Sequence, residues 1–255
     1  MKQNQPPAIT IEKLCIRYRQ LQLFDNLDFH LSAQKWTCLL GPSGVGKTTL
    51  LRFIAALSYD KNTECCGNIS ASDNLPLNHR ITYMAQQDLL MPWLNVLDNV
   101  LIGAHLRSEK ITTQLKQRAI DLLENTGLKN IIALKPKQLS GGMRQRVALV
   151  RTLFEDRPII LMDEPFSSLD VITRLKLQNL AAKLLANRTV LLVTHDPLEA
   201  LRLGSYIYTM TGSPVKIGGP IEPQGIAPRD PTAIALLEQQ AKLLRLLTEN
   251  SVEFL

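Results

Sequence analysis

The sequence lacks the features that mark membrane-spanning proteins, secreted proteins and proteins with a cysteine-ligated metal site. No run approaches the roughly 18 consecutive apolar residues of a membrane span, and the start MKQNQPPAIT has no apolar core of a signal peptide. The four cysteines show no CxxC spacing, and the adjacent Cys65 and Cys66 are poorly placed to pair with each other or to hold a metal. We therefore predict a cytosolic protein whose thiols are reduced.

Basic residues do not form the pattern of a dedicated nucleic-acid-binding protein. The formal net charge is +6, and residues 102–157, with 11 Lys or Arg and 5 Asp or Glu, carry the whole excess. No run of five basic residues occurs, and no basic stretch is interleaved with aromatics. A local excess of this kind most often marks a solvated face, although it also suits nucleotide phosphates or an anionic membrane surface. We expect no nucleic-acid partner.

Short apolar strands alternate with helices over much of the chain. The 255 residues are 45% hydrophobic, which is enough for a sizeable core. Strand patterns occupy 9–18, 27–31, 36–40, 158–162 and 189–194, with shorter pieces within 69–85. Helical patterns occupy 48–57, 142–155, 173–185 and 232–247, and 89–127 is mainly helical, with breaks at Pro92 and Gly103 and an end at Gly127. This alternation predicts a mostly parallel sheet with helices on both faces.

A glycine-rich loop, GPSGVGKT at 41–48, lies between a predicted strand and a predicted helix and fits the phosphate-binding pattern GxxxxGK[ST]. Its glycines let backbone N–H groups wrap phosphates, and the following helix adds the positive end of its dipole. Lys47 is placed to reach the β and γ phosphates, and the Thr48 hydroxyl to bind Mg²⁺. The candidate nucleotide-binding residues of this loop are Gly41, Pro42, Ser43, Gly44, Gly46, Lys47, Thr48 and Thr49.

Two adjacent carboxylates, Asp163 and Glu164, follow the buried strand pattern PIILM. The carboxyl end of a strand in a parallel sheet is where ligands bind. Asp163 suits Mg²⁺ held through water, and Glu164 suits the general base that polarises an attacking water. Alone, the pair is equally consistent with a salt-bridged strand end. Because a phosphate-binding loop stands in the same chain, the pair indicates phosphate-transfer chemistry.

A second anion-binding helix start occurs in LSGGMRQR at 139–146, where Ser140 is a candidate N-cap. Together with the phosphate loop, this segment resembles the signature of the ATP-binding-cassette (ABC) ATPases. The resemblance implies a head-to-tail homodimer, in which the signature of one protomer closes over the γ-phosphate of the ATP held by the other. It assigns Asp170, in SSLD at 167–170, to the dimer crossing. The implied signature residues are Ser140, Gly141, Gly142 and Gln145.

The resemblance also assigns single residues around the nucleotide. Tyr18 is similar to the aromatic that stacks on adenine, although an exposed strand tyrosine looks the same in sequence. Gln86 in YMAQQ matches the glutamine that touches Mg²⁺ or the water, with Gln87 as the alternative. His195, directly after TVLLVT, matches the histidine that contacts the γ-phosphate, whereas a lone histidine there would be structural. The implied catalytic residues are Glu164, His195 and Gln86, and the implied Mg²⁺ ligands are Thr48, Gln86 and Asp163.

The implied fold covers nearly the whole chain. It is an α/β P-loop NTPase: an ABC ATPase core with a mostly parallel sheet, an antiparallel β subdomain and a helical subdomain. Residues 1–255 then form a single ABC ATPase domain. Its expected parts are an ATP-binding core at 1–87 and 141–230, a helical subdomain at 88–140 and a C-terminal helix at 231–255.

The segment LLMPWLNVLDNV at 89–100 resembles the LLPWLTVLDNV of importers for nitrate, aliphatic sulfonates, taurine and pyrimidine thiamine precursors. This resemblance implies an ATPase subunit on the cytoplasmic face of the inner membrane, bound peripherally to integral-membrane permease subunits and indirectly served by a solute-binding protein. Trp93 is then a candidate permease anchor, or else ordinary core. An exporter subunit, or a soluble ABC ATPase acting on nucleic acid or a protein machine, is the alternative. The cargo is chosen by the permease and the binding protein.

Overall fold

The computed structural model describes residues 5–57 and 62–249. The strands are β1 (Ile9–Tyr18), β2 (Leu21–Leu31), β3 (Trp36–Leu40), β4 (Thr63–Ala71), β5 (Ile81–Met84), β6 (Ile159–Asp163), β7 (Thr189–Thr194), β8 (Tyr206–Thr211) and β9 (Lys216–Ile221). The helices are α1 (Lys47–Ile54), α2 (Val96–Leu106), α3 (Thr113–Asn125), α4 (Gly141–Phe154), α5 (Val171–Leu184), α6 (Pro197–Leu203) and α7 (Ile234–Glu249). Two short 3-10 turns, Lys129–Ile131 and Pro136–Gln138, precede α4.

The central sheet has six strands in the order β5-β6-β7-β3-β8-β9. Its neighbouring strands pair in parallel, except that β8 and β9 are antiparallel. Every residue of β3, β6 and β7 is buried, because both faces of the sheet are covered. Successive side chains of β6 alternate between two cores: Ile159 and Leu161 pack on one face, and Ile160 and Met162 on the other. The predicted mostly parallel sheet is confirmed.

A second sheet, with three antiparallel strands in the order β2-β1-β4, covers one face of the central sheet. Its inward side chains, among them Ile11 and Phe24, share a hydrophobic core with Leu50 and Leu51 of α1 and with Leu161 of β6. This sheet is the antiparallel β subdomain that the resemblance implied. Its packing fixes α1, and therefore the loop before α1, against the central sheet.

The opposite core contains side chains of α2, α3 and α4. The predicted break at Gly103 is wrong, because α2 runs from Val96 to Leu106 without interruption. A Cβ atom at position 103 would lie 1.8 Å from Oε1 of Glu155. The glycine therefore makes room for this carboxylate at the end of α4 and does not end the helix.

Three elements, α6, β8 and β9, had no counterpart in the sequence prediction. The last of them, β9, pairs with β8 although it contains Gly218, Gly219 and Pro220, and an edge strand tolerates such residues.

The predicted closing helix is confirmed as α7. The domain bounds stay a prediction, and the parts at 1–4, 58–61 and 250–255 lie outside the described residues. Within the described residues, no helix has both the length and the apolar character that crossing a membrane requires.

Candidate nucleotide-binding and catalytic site

Three adjacent strands bring the candidate residues to one edge of the central sheet. In the order β6-β7-β3, the carboxyl end of β3 leads into the phosphate loop, that of β6 into Glu164, and that of β7 into His195. The strands are parallel, so their carboxyl ends lie at the same edge. Residues separated by more than a hundred positions in sequence therefore meet.

The phosphate loop depends on its glycines for backbone geometry and close packing. Gly46 caps α1 with φ of 109°, and Gly44 has φ of 83°, in the region that side chains disfavour. A Cβ at Gly41 would lie 2.7 Å from the Met210 carbonyl oxygen of β8. The loop residues Pro42, Ser43 and Gly44 are exposed, as phosphate access requires.

Lys47 lies beneath this loop. Its side chain is buried, and Nζ donates to the carbonyl oxygens of Gly41 at 2.7 Å and Pro42 at 2.8 Å. Burial lowers the pKa of the Lys47 ammonium, while the nearby carboxylates of Glu164 and Asp163 oppose this shift. A compact positive charge held under an exposed glycine loop is the arrangement that phosphate binding uses.

Thr48 and Asp163 form the candidate metal pair. The Thr48 hydroxyl donates to Oδ2 of Asp163 at 2.6 Å, and Asp163 is buried. Burial raises the pKa of the Asp163 carboxyl against the hydrogen bond from Thr48, and the neighbouring Glu164 raises it further. Oxygen donors beside a phosphate loop suit Mg²⁺, which takes one or two protein ligands and completes its shell with phosphates and water. Within the described residues, no cluster of three His, Cys, Asp or Glu forms a cage by itself.

Glu164 lies at the centre of the predicted catalytic residues. Its φ of 48° is in the left-handed region, and its N–H donates to the Val193 carbonyl oxygen at 2.9 Å, which turns the chain sharply after β6. Gln86 Nε2 donates to Oε2 of Glu164 at 3.2 Å, so Gln86 is the glutamine that meets the carboxylate. His195 Nδ1 lies 3.0 Å from Oε1 of Glu164. The three predicted catalytic residues therefore lie together.

The signature segment lies at the start of α4. Ser140 Oγ accepts a hydrogen bond from the Met143 N–H at 3.2 Å, which confirms Ser140 as the N-cap. Ser140 and Gly141 are exposed and Gly142 is half-buried. Among the hydrogen bonds of the described residues, none joins positions 140–142 to the phosphate loop. One protomer thus presents two separate helix N-termini of the kind that suits anions.

Three further predicted residues take distinct places. Gln145 is buried and its Nε2 donates to the Pro165 carbonyl oxygen at 3.1 Å, which gives it a packing role, so its contact with nucleotide stays a prediction. Asp170 is exposed and caps α5, its Oδ1 accepting from the Thr173 N–H at 3.0 Å, and this bond lowers its pKa. Tyr18 is half-buried at the end of β1, and its adenine contact also stays a prediction.

Sequence reasoning missed the contacts that join the signature helix to the segment after Gln86. Arg144 Nε donates to Oδ2 of Asp88 at 2.9 Å. Arg151 donates to the carbonyl oxygens of Asp88 at 2.7 Å and Leu89 at 2.9 Å. The seven-residue spacing of the two arginines, two turns along one helix face, is the signal that could have suggested a shared partner.

The alternative that Trp93 is ordinary core is wrong, because its side chain is 66% exposed. The turn that carries it is nevertheless fixed by the fully buried Asn99. Asn99 Oδ1 accepts from the Met91 N–H at 2.7 Å, and its Nδ2 donates to the carbonyl oxygens of Met91, Leu94 and Asn95 at 3.2, 3.2 and 2.9 Å. An exposed tryptophan on a fixed turn suits contact with another molecule.

Known proteins are similar to this chain in sequence and in fold. A family model described as ABC transporter matches residues 24–167, more than half of the chain. An uncharacterized ABC transporter ATP-binding protein of Haemophilus influenzae is 39% identical over 240 residues, which are 93% of this chain and 97% of that protein. Aliphatic sulfonates import ATP-binding protein SsuB 1 of Rhodococcus jostii is 41% identical over 76% of each chain. The dimeric structure of a post-hydrolysis state of the ATP-binding cassette MJ0796, bound to ADP and Pi, is 27% identical and matches 86% of this chain and 100% of that one, with a TM-score of 0.73.

A phosphate loop after β3 at the edge of a mostly parallel sheet, with a carboxylate pair at the carboxyl end of β6 and only β7 between the two strands, defines a P-loop ATPase. Two comparisons narrow this class to the ABC transporter ATPases. The family model matches more than half of the chain, and relatives are about 40% identical over most of their length. The chain belongs to the ABC transporter ATP-binding family, and it is an ATP-binding, ATP-hydrolysing enzyme.

Proposed function

We propose that the protein is the ATPase subunit of an ABC importer, in which two copies form a head-to-tail dimer that drives solute uptake through a separate permease. Relatives in Rhodococcus jostii and Xanthomonas axonopodis, 41% and 35% identical, are named aliphatic sulfonates import ATP-binding proteins. These names favour an aliphatic sulfonate as the solute, and the resemblance of residues 89–100 keeps nitrate, taurine and a pyrimidine thiamine precursor as alternatives. The subunit would lie peripherally on the cytoplasmic face of the inner membrane, with a solute-binding protein as an indirect partner.

The observation that carries this proposal is the docking segment, defined as residues 86–95. At one end, Gln86 contacts the catalytic carboxylate of Glu164. At the other end Trp93 is exposed, on the turn that Asn99 fixes. A rigid segment between the catalytic carboxylate and an exposed aromatic is suited to report the state of the nucleotide to a partner.

The chemistry follows from the residues at the sheet edge. Lys47 and the loop N–H groups bind the phosphates of ATP. Glu164 accepts the proton of the attacking water, and Gln86 and His195 each contact one oxygen of that carboxylate. Thr48 and Asp163 would hold Mg²⁺, which neutralises phosphate charge when bound. The signature of a second copy, Ser140 to Gly142, would close over the γ-phosphate with its exposed helix start.

The test combines affinity purification from detergent-solubilised membranes with a substitution at Trp93. We expect a multi-span membrane protein to co-purify with the wild-type chain and to be largely lost with Trp93→Ala, because truncating an interface anchor costs about 2 kcal/mol or more. The melting temperature of the isolated subunit should change little, since the side chain is exposed.

Leu106→Ala is the matched control, because Leu106 is an exposed apolar side chain (79%) at the other end of α2. It should keep the membrane partner. Equal loss in both variants would contradict Trp93 as the anchor. Recovery of nucleic acid or a soluble assembly, with no membrane protein, would contradict the importer role.

A further inference from the structure

A buried carboxylate lies behind His195 and has no part in the chemistry described above. Glu199, on the short helix α6, is nine-tenths buried. Its Oε2 accepts a hydrogen bond from the Thr194 hydroxyl, and its Oε1 accepts one from Gln178 Nε2 at 3.2 Å. Thr194 is the last residue of β7 and directly precedes His195.

The same contacts fix the backbone around His195. Thr194 Oγ1 also accepts from the Asp196 N–H at 3.0 Å, so one hydroxyl joins the residues on both sides of the histidine. The Asp196 carboxylate caps α6, its Oδ1 accepting from the Leu198 N–H at 2.9 Å. Two side chains therefore hold a turn whose exposed residue is His195.

The network continues into α5, the helix that begins at Asp170. Gln178 of α5 donates to Glu199 and accepts from Arg202 Nη1 at 2.5 Å. Arg174 of α5 lies 3.5 Å from Asp196 Oδ2 and donates to the Leu169 carbonyl oxygen at 2.9 Å, one residue before Asp170. The histidine turn and the start of α5 are thereby tied to one buried group.

We propose that Glu199 is a positioning residue for ATP hydrolysis: its carboxylate holds the turn that presents His195 and ties that turn to α5. Both oxygens accept hydrogen bonds, as the two oxygens of an ionised carboxylate do, whereas a carboxamide or a protonated carboxyl carries a donor at one of the two positions. The proposal rests on the predicted contact of His195 with the γ-phosphate.

Low pH should weaken the hydrogen bonds by which Glu199 holds the histidine turn. Burial raises the pKa of the Glu199 carboxyl to about 7, and the carboxylate of Asp196 raises it too, whereas Arg174 and the bonds from Thr194 and Gln178 lower it. Cys38 of β3 also faces the group, and Arg202 reaches it through Gln178. Protonation turns one acceptor oxygen into a donor, so the Thr194 hydroxyl or the Gln178 amide loses its acceptor.

The first experiment compares Glu199→Gln with wild type in steady-state ATPase assays. At about pH 8 we expect kcat to fall roughly tenfold with KM for ATP within about twofold, because nucleotide binding is untouched while the turn is loosened. The ratio of wild-type to variant kcat should approach one at about pH 6, where wild type carries the proton itself. A ratio independent of pH, or close to one at pH 8, overturns the proposal.

Two controls separate the possible failures. Glu155→Gln, at a largely buried carboxylate at the end of α4, should keep wild-type kcat at each pH. If His195→Ala retains wild-type kcat, the role of His195 itself fails. If His195→Ala is inactive and Glu199→Gln behaves as wild type, only the role of Glu199 fails.

A second pair of variants keeps the test sharp should Glu199→Gln fold poorly. Thr194→Val removes the hydroxyl from a strand position that suits a β-branched residue, and Thr194→Ser retains it. We expect kcat to fall several-fold in the first and to be preserved in the second. Wild-type kcat in Thr194→Val contradicts the proposal.

Discussion

Two helix starts in this chain are suited to phosphate, and they differ in what surrounds them. The N-terminus of α1 follows the phosphate loop. Lys47, Asp163 and Glu164 of the same protomer lie close to this loop. The N-terminus of α4 presents Ser140 and Gly141 to solvent. The first site draws its lysine and both carboxylates from one chain. The second has no such groups of its own and is suited to close over a phosphate that another copy holds, which is why we propose a dimer.

The N-cap residues of the two helices also differ. Gly46 caps α1 and has no side chain, so the first N–H groups are left for phosphate oxygens. Ser140 caps α4 and occupies one N–H group with its own hydroxyl. The uncapped start of α1 therefore suits several phosphate oxygens, and the capped start of α4 suits the single phosphate contact that we propose for it.

The largest effect expected comes from Glu164, which lies at the first of these two sites. Glu164→Gln keeps the shape of the side chain and removes the proton acceptor, so hydrolysis should fall about 100-fold or more while ATP still binds. The variant should accumulate an ATP-bound dimer, seen by size exclusion with Mg-ATP, because hydrolysis opens it. Near wild-type rates in single-turnover assays would show that Glu164 is not the base.

A smaller effect separates the two helix starts directly. Ser140→Arg should lower hydrolysis at least tenfold by blocking the partner's γ-phosphate, while a single protomer binds ATP with unchanged affinity. Lys47→Ala is the comparison, because it removes the charge that faces the phosphates and should weaken ATP binding itself. Fluorescent-nucleotide titration measures both. An equal loss of affinity in the two variants would end the two-protomer interpretation.

The smallest effect concerns the cap itself. Ser140→Ala leaves the Met143 N–H without its acceptor, so the subunit should lose about 1 kcal/mol of stability, or roughly 2–4 °C in melting temperature. Hydrolysis should fall more than this loss of stability explains, since we propose that the serine also contacts the ATP of the partner protomer. Calorimetry and ATPase assays on the same preparation make the comparison. Unchanged hydrolysis would reduce Ser140 to a helix cap.

The sequence by itself determined the parts of the site that lie in one short stretch of chain. A strand, a glycine loop and a helix in immediate succession leave few ways to place Lys47 and Thr48. The end of an apolar strand likewise placed Asp163 and Glu164 at the edge of a parallel sheet. In these stretches local geometry is enough, because backbone conformation and side-chain direction follow from neighbours a few residues away.

Only the tertiary structure decided which residues far apart in the sequence come into contact. Gln86 and Glu164 are 78 residues apart and touch because β5 and β6 are neighbours in the sheet. The exposure of Trp93 and the burial of Glu199 depend on which surfaces the other helices cover. The prediction of a helix break at Gly103 is wrong because this glycine makes room for a carboxylate at the end of a distant helix. Long-range packing selects among positions that look alike in sequence, since a residue's type sets the contacts it can make and the fold sets the neighbours it receives.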